Sequence, residues 1–160
     1  MNQPRYPLRI NVGFLLNQSI GYYRDIHFEY PEMLLKPDLS LTDFAGVARI
    51  TRTPQGILVQ GEFKGKTTAE CVRCLTNFEL PLHANFSELY AFNERSVTDS
   101  GLLLPEDGNI DLEELVREYL LIELPFSPVC KPDCKGLCAE CGQNLNEELC
   151  EHQNQGLRET

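Results

Sequence analysis

The spacing of the cysteines constrains this chain more than any other feature of its sequence. There are seven cysteines among 160 residues, and each lies within a few residues of another cysteine or of a histidine. Two thiolates on one tight turn can reach the same tetrahedral zinc ion, and a second such pair completes its coordination shell. The pairs are Cys71-x-x-Cys74, Cys130-x-x-x-Cys134, Cys138-x-x-Cys141 and Cys150-x-His152. Four pairs predict metal binding, with one or two structural zinc ions.

These pairs can be combined in more than one way. We expect one site of Cys71, Cys74, Cys130 and Cys134, and a second site of Cys138, Cys141, Cys150 and His152. A competing arrangement is a single site of Cys134, Cys138, Cys141 and Cys150, and a third joins Cys71 and Cys74 to Cys138 and Cys141. Iron–sulfur clusters use the same thiolates, so spacing alone leaves the metal open. The odd number of cysteines fits metal ligation in a reducing compartment better than disulfide bridges.

The residues before the last cysteine cluster predict an antiparallel sheet with one helix. Runs rich in β-branched and aromatic residues, separated by turn residues, predict strands. The predicted strands cover residues 8–16, 25–30, 47–53, 57–69 and 78–92, and residues 31–43 are expected to be a connection. A helix is expected to begin at Asp111, with Glu114 as its capping partner, and to end before Pro125. The predicted fold class is α+β, an antiparallel β-sheet meander with one packed amphipathic helix and a small C-terminal Cys-rich zinc-binding lobe.

The composition of the chain after residue 125 predicts a boundary. Residues 126–160 carry five of the seven cysteines and few large apolar side chains. A segment without enough apolar surface for a core needs a staple, and a metal ion supplies one. We therefore expect an α+β domain over residues 1–125 and a metal-binding segment over 126–160 that packs on it.

Charge is distributed unevenly along the chain. The formal net charge of −10 argues against nucleic-acid binding driven by overall charge. Residues 47–74 nevertheless hold five basic side chains against two acidic ones, while residues 88–123 hold ten acidic against two basic. The basic residues are candidates for binding RNA phosphates, unless they are simply exposed positions on strands. They are Arg49, Arg52, Lys64, Lys66 and Arg73.

No catalytic set stands out in the sequence, so we expect no enzyme. His27 and His83 are isolated, no serine lies in a nucleophile elbow, and no phosphate-binding loop is present. A redox role for Cys71 and Cys74 requires a lowered thiol pKa, usually at a helix N-terminus, whereas this pair lies between predicted strands. The chain lacks an apolar run long enough for a membrane span or a signal peptide. These observations predict a cytoplasmic protein with no membrane and no small-molecule substrate.

Two motifs, in this order along the chain, resemble the YceD family. The first is Glu70-Cys71-Val72-Arg73-Cys74-Leu75 with Phe78. The second runs from Cys130 to Gly142 and continues into Asn144-Leu145-Asn146, and Ile110-Asp111-Leu112 lies between the two. The resemblance implies a bacterial or plastid protein linked to accumulation of large-subunit ribosomal RNA.

From this resemblance and the charge distribution we expect a non-enzymatic factor in ribosome biogenesis. Its expected partners are ribosomal RNA or a pre-ribosomal particle, and a basic ribosomal protein of the large subunit is a further candidate. Two alternatives remain open at this point. One is a protein-only adaptor whose acidic helix binds a basic ribosomal protein, and the other is a thiol oxidoreductase.

Overall fold

The chain divides into two compact units in a computed structural model that describes residues 4–152. One unit comprises Met1–Thr67 and Pro81–Glu123, and the other comprises Thr68–Leu80 and Leu124–Thr160. The second unit thus holds the first cysteine pair together with the C-terminal cysteines. None of the helices within residues 4–152 is long and apolar enough to cross a membrane.

Within residues 4–152 the secondary structure is mostly antiparallel β-sheet with one long α-helix, which confirms the predicted α+β class. The elements are β1 (Arg9–Asn11), β2 (Tyr23–Leu35), β3 (Leu39–Arg52), β4 (Gly56–Glu70), β5 (Asn77–Ala91), β6 (Asn109–Asp111) and α1 (Glu113–Ile122). Strands β2, β3, β4 and β5 form one sheet in chain order, and β1 pairs antiparallel with β6 in a second, two-stranded sheet. Two short 3-10 helices cover Gly13–Asn17 and Glu94–Ser96.

The β3–β4 hairpin sets the positions of most of the basic candidates. Its turn is closed by Thr53, whose N–H donates to the carbonyl of Gly56 at 2.9 Å and whose Oγ1 accepts the Gly56 N–H at 3.1 Å. Beyond the turn, Arg49 lies opposite Gln60. Side chains directly opposite in an antiparallel pair share a face of the sheet. The register therefore places Arg49 and Lys64 on the same, exposed face.

The opposite face of this sheet carries the aromatic core of the first unit. Phe63 is fully buried, and its ring centroid lies 5.7 Å from that of Phe44 and 6.1 Å from that of Phe86. Phe86 in turn stacks on Tyr119 of α1 at 5.0 Å. A Cβ on Gly46 or Gly61 would collide with these rings, so both positions require glycine for the rings to pack against the backbone.

Three local predictions differ from the structure. The predicted strand over residues 8–16 is reduced to β1, because the side chain of Asn11 accepts the N–H of Gly13 at 3.0 Å and turns the chain. Residues 31–43 are mostly strand rather than a connection, since β2 continues to Leu35 and β3 begins at Leu39. The helix begins at Glu113, because Asp111 belongs to β6 and its carboxylate accepts the Glu113 N–H at 3.0 Å.

The core of the second unit consists largely of sulfur. Its buried cluster is formed by Cys71, Cys74 and Cys134. Partly buried apolar side chains pack against these thiols, among them Phe78, Val129 and Leu137. Because so little apolar surface is buried there, the unit depends on its cysteines for stability.

Candidate metal centres

The first group of cysteines, here called centre A, consists of Cys71, Cys74, Cys130 and Cys134. Their four sulfur atoms all lie within 4.8 Å of one another, and three of the four residues are buried. The Sγ atoms of Cys71 and Cys134 are 3.7 Å apart, as are those of Cys74 and Cys130. A zinc ion bound at about 2.3 Å requires tetrahedral sulfur–sulfur distances of about 3.8 Å. These two sulfur–sulfur distances match the edge of a zinc tetrathiolate, and both are too long for a disulfide bond.

Tight turns bring the two cysteine pairs of centre A together. After β4, the N–H of Leu75 donates to the carbonyl of Cys71 at 2.8 Å, and Leu75 adopts a left-handed φ of 60°. The second pair is held similarly, by the N–H of Cys134 donating to the carbonyl of Lys131 at 3.1 Å. The N–H of Val72 donates to the carbonyl of Pro128 at 2.9 Å and joins the two turns. The backbone thus fixes the ligands with hydrogen bonds of its own.

The environment of centre A favours the thiolate, the form in which cysteine binds metal, at Cys71 but not at Cys130. Burial raises the pKa of Cys71, but the N–H groups of Cys74, Cys130 and Arg73 outweigh it and lower this pKa to about 6. Burial and the neighbouring sulfurs raise the pKa of the Cys130 thiol to about 12. Four thiolates crowded together repel one another, and a divalent cation removes that repulsion.

The second group, here called centre B, consists of Cys138, Cys141, Cys150 and His152. Their ligand atoms also lie within 4.8 Å of one another, but only Cys138 is buried. The N–H groups of Cys141 and Glu140 lower the pKa of Cys138 to about 6. Gly142 closes this turn with a left-handed φ of 78°, and its N–H donates to the carbonyl of Cys138 at 2.9 Å. Centre B therefore offers three thiolates and one imidazole in a more exposed setting.

The two nitrogens of His152 face different groups. Nδ1 lies 3.7 Å from the sulfur of Cys150, whereas Nε2 lies 3.0 Å from a carboxylate oxygen of Glu140. The hydrogen bond to Cys150 and the charge of Glu140 raise the pKa of His152. A carboxylate that accepts one ring N–H leaves the other nitrogen free as a metal ligand and fixes the orientation of the ring. This arrangement presents Nδ1 to the centre.

A further polar group contacts a sulfur of centre A. The Nδ2 atom of Asn146 lies 3.2 Å from the Sγ of Cys134 and donates to it. The Oδ1 atom of Asn146 accepts the N–H of Lys135 at 2.9 Å, so the side-chain amide has only one orientation that satisfies both neighbours. Asn146 thus belongs to the surroundings of centre A, although it lies in sequence between two ligands of centre B.

The motifs that hold these centres match a family model described as "Large ribosomal RNA subunit accumulation protein YceD". The match covers residues 59–159, which is more than half of the chain. The chain belongs to the YceD family. Both cysteine clusters lie within the matched residues, as does α1. The predicted resemblance is thereby confirmed.

Similar proteins come from bacteria and from plants. An uncharacterized protein of Mycobacterium leprae is 38% identical over 101 residues, covering 61% of this chain and 46% of its own. An uncharacterized protein of Mycobacterium tuberculosis is 39% identical over 105 residues, covering 62% of this chain and 50% of its own. The chain thus spans about half the length of the curated relatives it matches.

A plant relative carries the family name. The chloroplastic large ribosomal RNA subunit accumulation protein homolog 1 of Zea mays is 45% identical over 40 residues, which cover 25% of this chain and 14% of that protein. No solved structure matches the chain at a significant level.

Most of the predicted RNA-binding residues have partners within the YceD-family chain. Arg49 forms a two-pronged hydrogen bond with Asp25, at 2.8 and 3.1 Å. Arg52 donates to the carbonyl of Thr53, and its guanidinium lies 4.5 Å from the ring centroid of Phe92. These two cations are therefore partly neutralised or covered.

The remaining three basic candidates differ in the contacts that their side chains make. Lys66 lies 3.5 Å from the carboxylate of Asp43. Arg73, in the second unit, donates to the backbone carbonyl of Cys134 at 3.1 Å and so supports centre A. Within residues 4–152, Lys64 forms no ion pair and is exposed. It is the candidate most accessible to a phosphate.

Sequence reasoning assigned no role to Asn146 or Glu140. Asn146 was visible only as part of the family motif Asn144-Leu145-Asn146, and Glu140 only as a residue between two cysteines. A polar residue placed close to the ligands in sequence is the signal that could have indicated a role near a metal, because metal ligands usually have hydrogen-bonded neighbours.

Proposed function

We propose that this protein is a non-enzymatic cytoplasmic factor in ribosome biogenesis. It supports the accumulation of large-subunit ribosomal RNA by binding RNA or a pre-ribosomal particle. The observation that carries this proposal is the match of the family model, whose printed name refers to large-subunit ribosomal RNA, over residues that include both cysteine groups. The name of the Zea mays relative points to the same process.

We propose that both centres hold zinc in a structural role. Centre A supplies four thiolates and centre B supplies three thiolates and an imidazole, so protein atoms occupy all four positions of a tetrahedral ion. Such an ion has no position for a water or a substrate, which fits a non-enzymatic role. Zinc would staple a unit whose apolar core is small.

The contact with RNA would be local. Seven thiolates and two divalent ions would change the formal charge from −10 to about −13, so the molecule as a whole repels nucleic acid. Lys64 and Lys66 are the candidates best able to reach a phosphate, because Lys64 lacks an ion pair and the pair of Lys66 with Asp43 is long and exposed. Exposed ion pairs of this kind contribute about 0–1 kcal/mol, so a phosphate can replace the carboxylate.

The test is affinity purification from cells followed by RNA sequencing. We expect ribosomal RNA of the large subunit to be enriched over a mock purification. The double substitution Lys64→Glu with Lys66→Glu should abolish that enrichment, while Lys36→Glu with Arg95→Glu reverses two exposed charges outside the hairpin and should leave it intact. Absence of both ribosomal RNA and ribosomal proteins from the purified material would refute the proposal.

One observation favours a second candidate, a protein-only adaptor for a basic ribosomal protein. Residues 88–123 hold ten acidic side chains, and none of them forms an ion pair in the part of the chain that the structure describes. Unpaired acidic groups attract a basic partner and increase its rate of association. If the partner stays bound after nuclease treatment and the Lys64 and Lys66 substitutions have no effect, the adaptor is the better description.

A further inference from the structure

The two centres are joined by a short loop, residues 134–146, which carries cysteines of both. Its tip carries Cys138 and Cys141 of centre B. Its base carries Cys134 of centre A, together with Asn146, whose Nδ2 donates to the Cys134 sulfur at 3.2 Å. The same loop therefore contributes residues to both centres.

Backbone hydrogen bonds run along this loop from tip to base. The N–H of Cys138 donates to the carbonyl of Gln143 at 2.9 Å, and the N–H of Leu145 donates to the carbonyl of Gly136 at 2.9 Å. Leu137 and Asn144 form an antiparallel bridge between these bonds. The loop is thus a small hairpin, and fixing its tip also fixes the position of its base.

The amide of Asn146 is held firmly at the base. Its backbone N–H and its Nδ2 both donate to the side-chain oxygen of Asn144, each at 3.0 Å. Its Oδ1 accepts from Lys135, so the second N–H of Nδ2 is directed to the Cys134 sulfur. Hydrogen bonds to an ionised acceptor are stronger than neutral ones, and such neighbours of metal ligands typically change metal affinity by roughly 10- to 100-fold.

We propose that the two metal centres are coupled, so that metal at the exposed centre B strengthens metal binding at the buried centre A through Asn146. This inference rests on the proposed occupation of both centres by zinc. Metal at centre B ties Cys138 and Cys141 to Cys150 and His152, which closes the chain around residues 142–149 and orders the hairpin. Asn146 lies inside that closed segment, so ordering the segment favours the orientation in which its Nδ2 donates to the Cys134 sulfur.

Because of the coupling, a fall in available zinc would affect both centres through the loss of metal from centre B. Its ligands are more exposed than those of centre A, so chelators reach it first. Loss of that ion would loosen Asn146 and lower the affinity of centre A for its own ion. By thermodynamic reciprocity, metal at centre A strengthens binding at centre B by the same factor.

The decisive experiment is a double-mutant cycle on the full chain. Metal affinity at centre A is measured by competition with a chelator, using ¹¹³Cd NMR to separate a tetrathiolate site from a site of three thiolates and an imidazole. Removing two ligands of centre B with Cys150→Ser and His152→Ala should lower the metal affinity of centre A roughly 10- to 100-fold. Asn146→Ala alone should weaken it similarly.

When Asn146→Ala is already present, removing the ligands of centre B should change the metal affinity of centre A by no more than about twofold. A change of that size is expected for substitutions that act independently. Asn146→Asp keeps the size of the side chain and the acceptor for Lys135 but places a carboxylate oxygen against the thiolate, and should weaken centre A at least as much. Asn85→Ala, at an exposed position on β5, is the matched control and should change neither centre.

The outcomes separate the coupling from the proposed metal binding. Uptake of two ions with affinities that do not respond to each other would overturn only the coupling. The coupling also fails if it persists undiminished in the Asn146→Ala background. A purified chain that takes up no metal at either centre would overturn the zinc proposal as well.

Discussion

The two units of this chain are stabilised by different means. In the first unit, stacked rings and aliphatic side chains fill the space beneath a four-stranded sheet, with Phe44 and Phe63 almost fully buried. In the second unit, Cys71, Cys74 and Cys134 form the buried cluster, and the apolar side chains that pack against it are only partly buried. The comparison shows that a small segment with few apolar residues can form a compact unit when its core is built from clustered cysteine thiols.

Removing the metal is expected to have the largest effect, and only on the second unit. Structural zinc contributes on the order of 10 kcal/mol to the folding of small metal-binding domains. A strong chelator should therefore abolish the protection of amides in 68–80 and 124–152, while amides of β3 remain protected by the apolar core. Hydrogen exchange detected by mass spectrometry of peptides measures the amide protection of both regions in one experiment. Equal loss of protection in both units would show that the first one also depends on the metal.

The cysteine pairs were predictable from their spacing, whereas their surroundings were not. Ligand spacing is a local property, and the preferred pairing joins the same residues that the structure brings together in centres A and B. The Asn146 contact with Cys134 depends on how a loop folds back, and the pairing of Arg49 with Asp25 depends on the register between β2 and β3. Neither property can be read from residue types along one strand.

The limits of β1 and α1 illustrate the same difference. The pattern of apolar residues identifies an element, but side-chain hydrogen bonds decide where it ends. Asn11 turns the chain after β1, and Asp111 pairs in β6 while accepting the first N–H of the helix. These contacts require partners from distant residues or a turn that competes with the strand.

A core substitution in the first unit should give the next largest loss of stability and should not change metal binding. Phe63→Ala removes a fully buried ring that contacts three neighbouring rings, and should lower the free energy of unfolding by about 3–5 kcal/mol. Zinc content per folded molecule should stay unchanged. Phe126→Ala is the matched control, because Phe126 is fully exposed and its removal should change stability by about 0.5 kcal/mol or less. Thermal unfolding and elemental analysis provide the two measurements.

The smallest expected effect concerns the orientation of one ligand in centre B. Glu140→Gln keeps the size of the side chain but removes the charge that faces Nε2 of His152 at 3.0 Å. The imidazole then loses a charge-assisted hydrogen bond, so Nδ1 is held less firmly toward the metal. We expect the metal affinity of centre B to fall roughly 10-fold.

The control for this prediction is Glu148→Gln, an exposed position in the same segment whose side chain forms no ion pair within residues 4–152. Cobalt substitution checks that Glu140→Gln still gives a site of three thiolates and one imidazole, since the ligand-field spectrum reports the donor set. An unchanged affinity at centre B would mean that His152 is oriented without Glu140. Centre A lies at the other end of the connecting loop. A smaller loss of metal affinity at centre A would therefore measure how strongly the two centres are coupled.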